Sequence, residues 1–434
     1  MASEEKDSGD WPAEFEAEYQ RVRPLGKGAY GLVWLARRRG TEGGQEDGTA
    51  ADRSHLDDDP PLVAVKRIGT DPNNATEVEY ARREIAILAE LRHPCVIRLI
   101  REYPPASDSV VIAMTLAPGP NLHDLIWDGG ALGLCLARLV SRHAVAAVSY
   151  LHGRGVIHRD LKPANIVLVR RDGTGAQDVY ANETLWAGTE GDDLGAEAAA
   201  SIEARWKAVL VDLGFARALA PADLREGDGS RRLRSSIVME SEAIADQVGN
   251  DEEGAEIEWG SVAPSRRNLH MSALGTMAFA APEIKYKARS KDAMANADVL
   301  SSAVADYGMT ADAYSIGITI REMLTGVPSH VQDIAGYIRH ENSLLVKLFT
   351  CCSSRPGEGK RDMTYRLPSA LPGDASRLVK DLTIKKEEER SSVRQAQANT
   401  WICGREGEAK YELPMGDYPS KHGDPVNFLK CAGN

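Results

Sequence analysis

Alternating apolar and polar positions dominate the first third of the chain, and helical spacing takes over after it. A strand is predicted over 32–36. A second, over 63–68, alternates so that Ala64 and Lys66 share one face. A helix is predicted over roughly 77–91, with Ile85, Ile87 and Leu88 apolar and Glu84 among them. Strand patterns at 96–100 and 110–114 complete a small antiparallel sheet. Regularity breaks at 115–120, where Pro118 and Pro120 flank Gly119, and this break reads as a hinge between two lobes. Helical patterns recur at 313–324, 375–384 and 392–401.

Composition narrows the picture without changing it. At 434 residues and 43% hydrophobic content the chain can bury a full core and is too long for one minimal domain. Lys plus Arg number 52 against 64 Asp plus Glu, a formal charge of −12, which disfavours a nucleic-acid partner. Six cysteines (Cys95, Cys135, Cys351, Cys352, Cys403, Cys431) lack paired metal spacing and read as reduced thiols. No signal peptide is recognised, and no apolar stretch is expected to reach membrane-spanning length, so a cytoplasmic protein with access to the nucleus is expected. Residues 1–19 are acidic and read as a mobile leader. The Gly- and Asp-rich stretch at 40–61 reads as an exposed insertion, as do 170–205 and 218–268, and 404–434 as a polar tail.

Three stretches carry candidate chemistry. Gly26, Lys27, Gly28 and Gly31 form a GxGxxG ahead of Val33; glycines there let backbone amides approach phosphate oxygens. The same pattern serves dinucleotide folds or a plain turn, but a strand rather than a helix follows it here. Lys66 sits on the next strand. Glu84 is either a surface helix residue or the partner that orients Lys66. Residues 158–168, HRDLKPANIVL, place the carboxylate of Asp160, the ammonium of Lys162 and the amide of Asn165 within six residues between two apolar runs. That arrangement suits a base, a phosphate-facing cation and a metal ligand, against the plainer reading of a polar turn.

Taken in order, GKGAYGLV, VAVK, the helix glutamate, HRDLKPAN, DLG at 212–214, GTMAFAAPE, DAYSIG and a late arginine resemble the eukaryotic protein kinase family of Ser/Thr type, over about residues 21–403. The amino-terminal part is similar to mitogen-activated kinases and the carboxy-terminal part to second-messenger-type kinases. The resemblance implies an α+β bilobal fold: a small antiparallel sheet lobe with one regulatory helix (20–114), a hinge (115–120) and a larger helical lobe (121–403). It implies Mg-ATP transfer to Ser/Thr hydroxyls of protein substrates, with ATP and Mg2+ as cofactors. Gly26, Gly28 and Gly31 would cover the phosphates, Lys66 would contact the α- and β-phosphates, and Glu84 would steady it. Val33, Ala64 and Val167 would enclose adenine, with Met114 at the back of the cleft and Thr115 and Ala117 along the hinge. Asp160 would accept the hydroxyl proton, Lys162 would neutralise the γ-phosphate, and Asn165 with Asp212 would hold the metal.

By the same resemblance, Glu283 pairs with Arg390, Asp312 bonds the catalytic loop backbone, and Thr276 bridges Asp160 and Lys162. Ser272 matches an activating phosphosite, with Arg159 and Arg217 as its phosphate ligands and an upstream kinase as its donor. Leu213 stands where phenylalanine is commonest, and Ala164 replaces a carboxylate that attracts substrate arginine. The alternative is a catalytically silent scaffold of the same fold. It would normally lack one of Lys66, Asp160, Asn165 or Asp212, and all four are present.

Overall fold

The computed structural model describes residues 11–28, 31–40, 60–69, 75–106, 109–173, 196–218, 277–288, 308–341 and 364–404. They fall into two units. The first holds Met1–Arg92, Ile97–Ala117 and Asp212–Ala216; the second holds His93–Val96, Pro118–Val211 and Arg217–Asn434.

In the first unit, α1 (Ala13–Glu18) leads into β1 (Tyr19–Gly28), β2 (Gly31–Arg38) and β3 (Leu62–Gly69), followed by α2 (Ala75–Glu90), β4 (Leu99–Ala106) and β5 (Ser109–Thr115). The strands form one antiparallel sheet in the order β1-β2-β3-β5-β4. Val33 lies opposite Lys66 and Leu35 opposite Ala64, while Lys66 and Ala64 lie opposite Ile112 and Met114 on the other side. With a side-chain period of two, these six residues share one face. The intervening residues Trp34, Val63, Val65, Val111 and Ala113 share the other.

That second face explains the first departure from expectation. Residues 11–19 are not a mobile leader: Trp11, Phe15 and Tyr19, spaced four apart on and beside α1, are buried against Val63, Val65, Tyr103, Val111 and Ala113. The Phe15 ring meets Tyr103 edge-on at 5.4 Å. Glu18 accepts hydrogen bonds from Arg101 at 2.9 Å and from the Tyr103 hydroxyl at 2.8 Å. Burying each such aromatic stabilises by about 2–3 kcal/mol, which outweighs the acidic character of the segment. The strand expected over 96–100 also shifts, beginning at Leu99. Val96, which belongs to the second unit with His93 and Leu210, instead closes a turn onto His93 and makes an isolated bridge to Leu210.

The second unit contains α3 (Leu122–Gly129), α4 (Leu134–His152), β6 (Val156–Ile157), β7 (Ile166–Arg170), α5 (Ala196–Arg205), β8 (Trp206–Leu210) and β9 (Arg217–Ala218). It continues with α6 (Pro282–Ala288), α7 (Met309–Thr325), α8 (Ile334–Glu341), α9 (Gly373–Leu382), α10 (Val393–Ala396) and α11 (Thr400–Cys403). Helix α4 lies at its centre, against α5, α7, α10, α11 and β8. Over 19 residues it is long and apolar enough to cross a membrane by length and composition, which corrects the expectation that no stretch is; 94% of that window is buried inside the protein, as in a core helix. Its two arginines face inward. Arg138 and Arg142 donate to the carbonyls of Trp401 and Ile402, at 3.2 and 2.7 Å, on α11.

Strands β7 and β8 pair antiparallel with Ile166 opposite Leu210 and Val167 opposite Val209. The stretch expected as a surface excursion, 170–205, is in part structural. Its α5 buries Ile202, and Glu203 pairs with Arg142. The remainder of that insertion, most of the stretches at 40–61 and 218–268, and the tail from 405 lie outside the described residues.

Candidate active site

The first unit assembles one cluster. Lys66 reaches α2 because β3 places it on the Ala64 face, and its Nζ donates to Glu84 Oε1 at 2.7 Å and to Asp212 Oδ1 at 3.1 Å. The Lys66 and Glu84 side chains are each 3% exposed and that of Asp212 is 21%, so the ammonium and one carboxylate are sealed while the second carboxylate faces outward. Burial alone would lower the Lys66 pKa. The charges and hydrogen bonds of Asp212 and Glu84 outweigh it and hold the ammonium above the ordinary lysine value. Asp212 has a left-handed backbone, φ 59°, and its carboxylate also accepts from the Gly214 N–H at 3.3 Å. Leu213 beside it is buried.

Around this cluster, Val33 is partly exposed, and Ala64 and Met114 are buried on the Lys66 face. Thr115 exchanges bonds with Arg98, through its own N–H at 2.9 Å and its hydroxyl at 3.1 Å. Ala117 ends the segment of this unit that starts at Ile97. The glycines differ in kind. A Cβ on Gly26 would meet nothing within 4 Å, whereas one on Gly31 would fall 1.8 Å from the Arg67 carbonyl oxygen. Gly31 is therefore required by the close approach of β3. Gly28 ends β1, and the Lys27 side chain lies outside what is described. A separate cavity of about 280 Å³, lined by Phe15, Tyr19, Arg21, Trp34 and Arg39 among others, lies on the α1 side of the sheet, away from Lys66.

The second unit assembles another cluster. Asp160 is 2% exposed and is held from three sides. Lys162 Nζ donates to its Oδ2 at 2.7 Å, the Asn165 amide donates to its carbonyl at 2.7 Å and to Oδ2 at 3.0 Å, and its own N–H donates to His158 Nδ1 at 3.3 Å. Asn165 spends its NH2 on Asp160. Its amide oxygen accepts no hydrogen bond among the described residues. The loop is fixed from beneath by Asp312 on α7, fully buried, which accepts the backbone N–H groups of His158 at 2.7 Å and Arg159 at 2.9 Å. Arg159 needs that support, because its φ of 69° is costly for a residue with a long side chain. Val167 bridges to Asn121.

Further off in the same unit, Arg390 binds Glu283 through two bonds, 2.7 and 2.9 Å, and donates to the carbonyls of Ile384 and Thr310 at 2.8 and 2.9 Å. Arg217 opens β9, opposite Ile157. Ser272 and Thr276 lie outside the described residues. Sequence reasoning missed His152, whose Nε2 lies 3.0 Å from Asp312 Oδ2; its place six residues before His158, at the end of a helix pattern, was the available signal.

A family model described as a protein kinase domain matches residues 48–183, a span that includes Lys66, Glu84, Asp160, Lys162 and Asn165. The Serine/threonine-protein kinase PkaA of Streptomyces coelicolor is 33% identical over 158 residues, 36% of this chain and 28% of that protein. The Serine/threonine-protein kinase fused of Drosophila melanogaster is 34% identical over 144 residues, 33% of this chain and 15% of that protein. NUAK family SNF1-like kinase 2 of Rattus norvegicus is 34% identical over 151 residues, 35% and 21% respectively. The chain thus spans between 15% and 28% of the length of these relatives.

Proposed function

We propose that the chain is a protein kinase of the eukaryotic type that transfers the γ-phosphoryl group of Mg-ATP to serine or threonine hydroxyls of protein substrates, a reading supported by the kinase-domain match over residues 48–183 and by the similarity to serine/threonine kinases. The observation that carries this reading is the pairing of Lys66 with both Glu84 and Asp212, because a sealed ammonium with a fixed direction is a phosphate ligand rather than a solubilising residue. In this reading Lys66 orients the α- and β-phosphates, and Glu84 fixes Lys66. Asp160 accepts the proton of the acceptor hydroxyl, and Lys162, already bonded to Asp160, neutralises charge on the transferred group. The amide oxygen of Asn165 and the outward carboxylate of Asp212 have the chemistry of magnesium ligands, hard oxygen donors. Bound magnesium supplies charge neutralisation on the phosphate oxygens.

Phosphorylation of Ser272 by an upstream kinase, with Arg159 and Arg217 as phosphate ligands, is the regulatory part of the proposal, and the cytoplasm is its proposed site of action. The alternative, a silent scaffold, is disfavoured by the presence of Lys66, Asp160, Asn165 and Asp212 together. The test is Mg-ATP transfer to a degenerate Ser/Thr peptide library by the wild type and by Asp212→Asn. We expect transfer by the first and a loss on the order of 10³-fold in the second. No transfer by a wild type already phosphorylated at Ser272 overturns the enzyme reading.

A further inference from the structure

Helix α3 has two unlike sides. Leu122, Leu125 and Ile126 are buried, and the helix packs on the 3-10 turn Pro163–Asn165 and on β7. The opposite side carries His123, Asp124, Trp127 and Asp128, all exposed. His123 and Trp127 stand one turn apart with their rings stacked, centroids 6.3 Å apart and planes 25° apart. Asp124 and Asp128 stand one turn apart in the adjacent row. Asp124 is fixed by Asn121, whose amide donates to its carboxylate at 2.8 Å. Asp128 makes no hydrogen bond or ion pair among the described residues.

A single surface aromatic needs no explanation. Trp127 differs in degree and setting: it is 74% exposed, against 47% for the next large apolar side chain among the described residues, and its ring is held by a stacked neighbour beside a row of carboxylates. An indole face next to a carboxylate is the chemistry that receives a guanidinium, which stacks on the ring while its N–H groups bond the acid. A lysine would meet the same charges but lacks the planar stacking surface. The chain's net charge of −12 also favours a cationic partner over an anionic one.

We propose that this face of α3 docks an arginine-bearing stretch of the protein substrate. The proposal rests on the kinase reading given above. It moves basic selectivity away from Ala164, which offers no carboxylate near the acceptor, to the outer side of a helix that packs directly on the loop holding Asp160.

The test uses the full chain and fluorescein-labelled serine-centred dodecamers in which arginine is fixed in turn at each position, with glutamine replacements as controls. Anisotropy should report at least tenfold tighter binding for arginine at positions away from the serine, weakened by salt. Trp127→Ala and Asp128→Asn should each remove most of that difference, and in Mg-ATP transfer they should raise peptide KM while leaving kcat and the KM for ATP unchanged. Equal binding of arginine and glutamine peptides, undiminished preference in both variants, or self-association that Trp127→Ala abolishes would overturn the proposal. Peptide binding does not require transfer. Arginine-selective binding without transfer therefore defeats the kinase reading alone, and transfer without arginine selectivity defeats the docking surface alone.

Discussion

Glu203 on α5 neutralises Arg142 on α4, a guanidinium whose side chain is only 3% exposed. The arginine also holds the Ile402 carbonyl, so its removal would release α11 as well as a charge. Glu203→Gln removes that carboxylate from beside a buried cation. Because Glu203 is itself 29% exposed, the cost is about 1–3 kcal/mol rather than that of a fully sealed pair. A lower urea midpoint with unchanged m value is the expected result.

Glu84→Gln should slow transfer more than it unfolds the protein. Lys66 keeps Asp212 as a partner, so the ammonium stays compensated, but on the α2 side a charge-assisted bond becomes a weaker neutral one and its direction is less firmly set. Loss of orientation of this kind costs on the order of 10²-fold in kcat. A midpoint close to wild type together with that loss in kcat is expected; retained kcat would show that Asp212 alone positions Lys66.

The two outer glycines of the GxGxxG should part company. Gly31→Ala drives a methyl group into the Arg67 carbonyl, and overpacking of this kind costs about 1–3 kcal/mol. Gly26→Ala meets open space and should stay within about 0.5 kcal/mol of wild type. Thermal melting of the two variants side by side distinguishes them.

Acid should destabilise the second unit before most carboxylates titrate. Burial holds His93 at about 3, and burial together with neighbouring cationic groups holds His143 well below the ordinary histidine value. Each ring Nδ1 accepts a backbone N–H, His93 from Cys95 at 3.2 Å and His143 from Ala208 at 3.0 Å, and protonation would break both bonds. The unfolded chain takes up these protons below about pH 6.5, while the folded chain refuses them until far lower. Stability is thus complete above about pH 6.5 and falls with pH, by about 1.4 kcal/mol per unit for each histidine. Urea midpoints at pH 7.5, 6.0 and 5.0 should show the decline, and His93→Gln should flatten it.

The placement of the candidate site residues was legible because they stand at fixed spacings: Lys66 two residues after Ala64 on a strand, and Asp160, Lys162 and Asn165 on one short loop. The contacts of Asp312 and the Glu283–Arg390 pair agree with what the resemblance implied. What escaped was decided by tertiary packing. Trp11, Phe15 and Tyr19 have helical spacing, but the acidic residues between them hid it. The role of Gly31 depends on a neighbouring strand. The φ of 69° at Arg159 is imposed by Asp312, far along the chain, and no local pattern announces it. Glu203 sits in an Ala/Glu-rich stretch that reads as a surface excursion with room for a short helix; that the helix packs on α4 is decided by tertiary contacts.

The β7–β8 pairing has a consequence for how the chain can be altered. The Val211 N–H donates to the Asn165 carbonyl at 2.9 Å, and the ladder from Ile166 to Arg170 closes on Trp206 to Leu210. Position at the base of this ladder is set by cross-strand bonds, so it does not depend on how many residues separate the two strands. Substitutions that break this ladder, at Val167 or Val209, therefore act on the Asn165 carbonyl and the Val211 N–H together, without touching either residue.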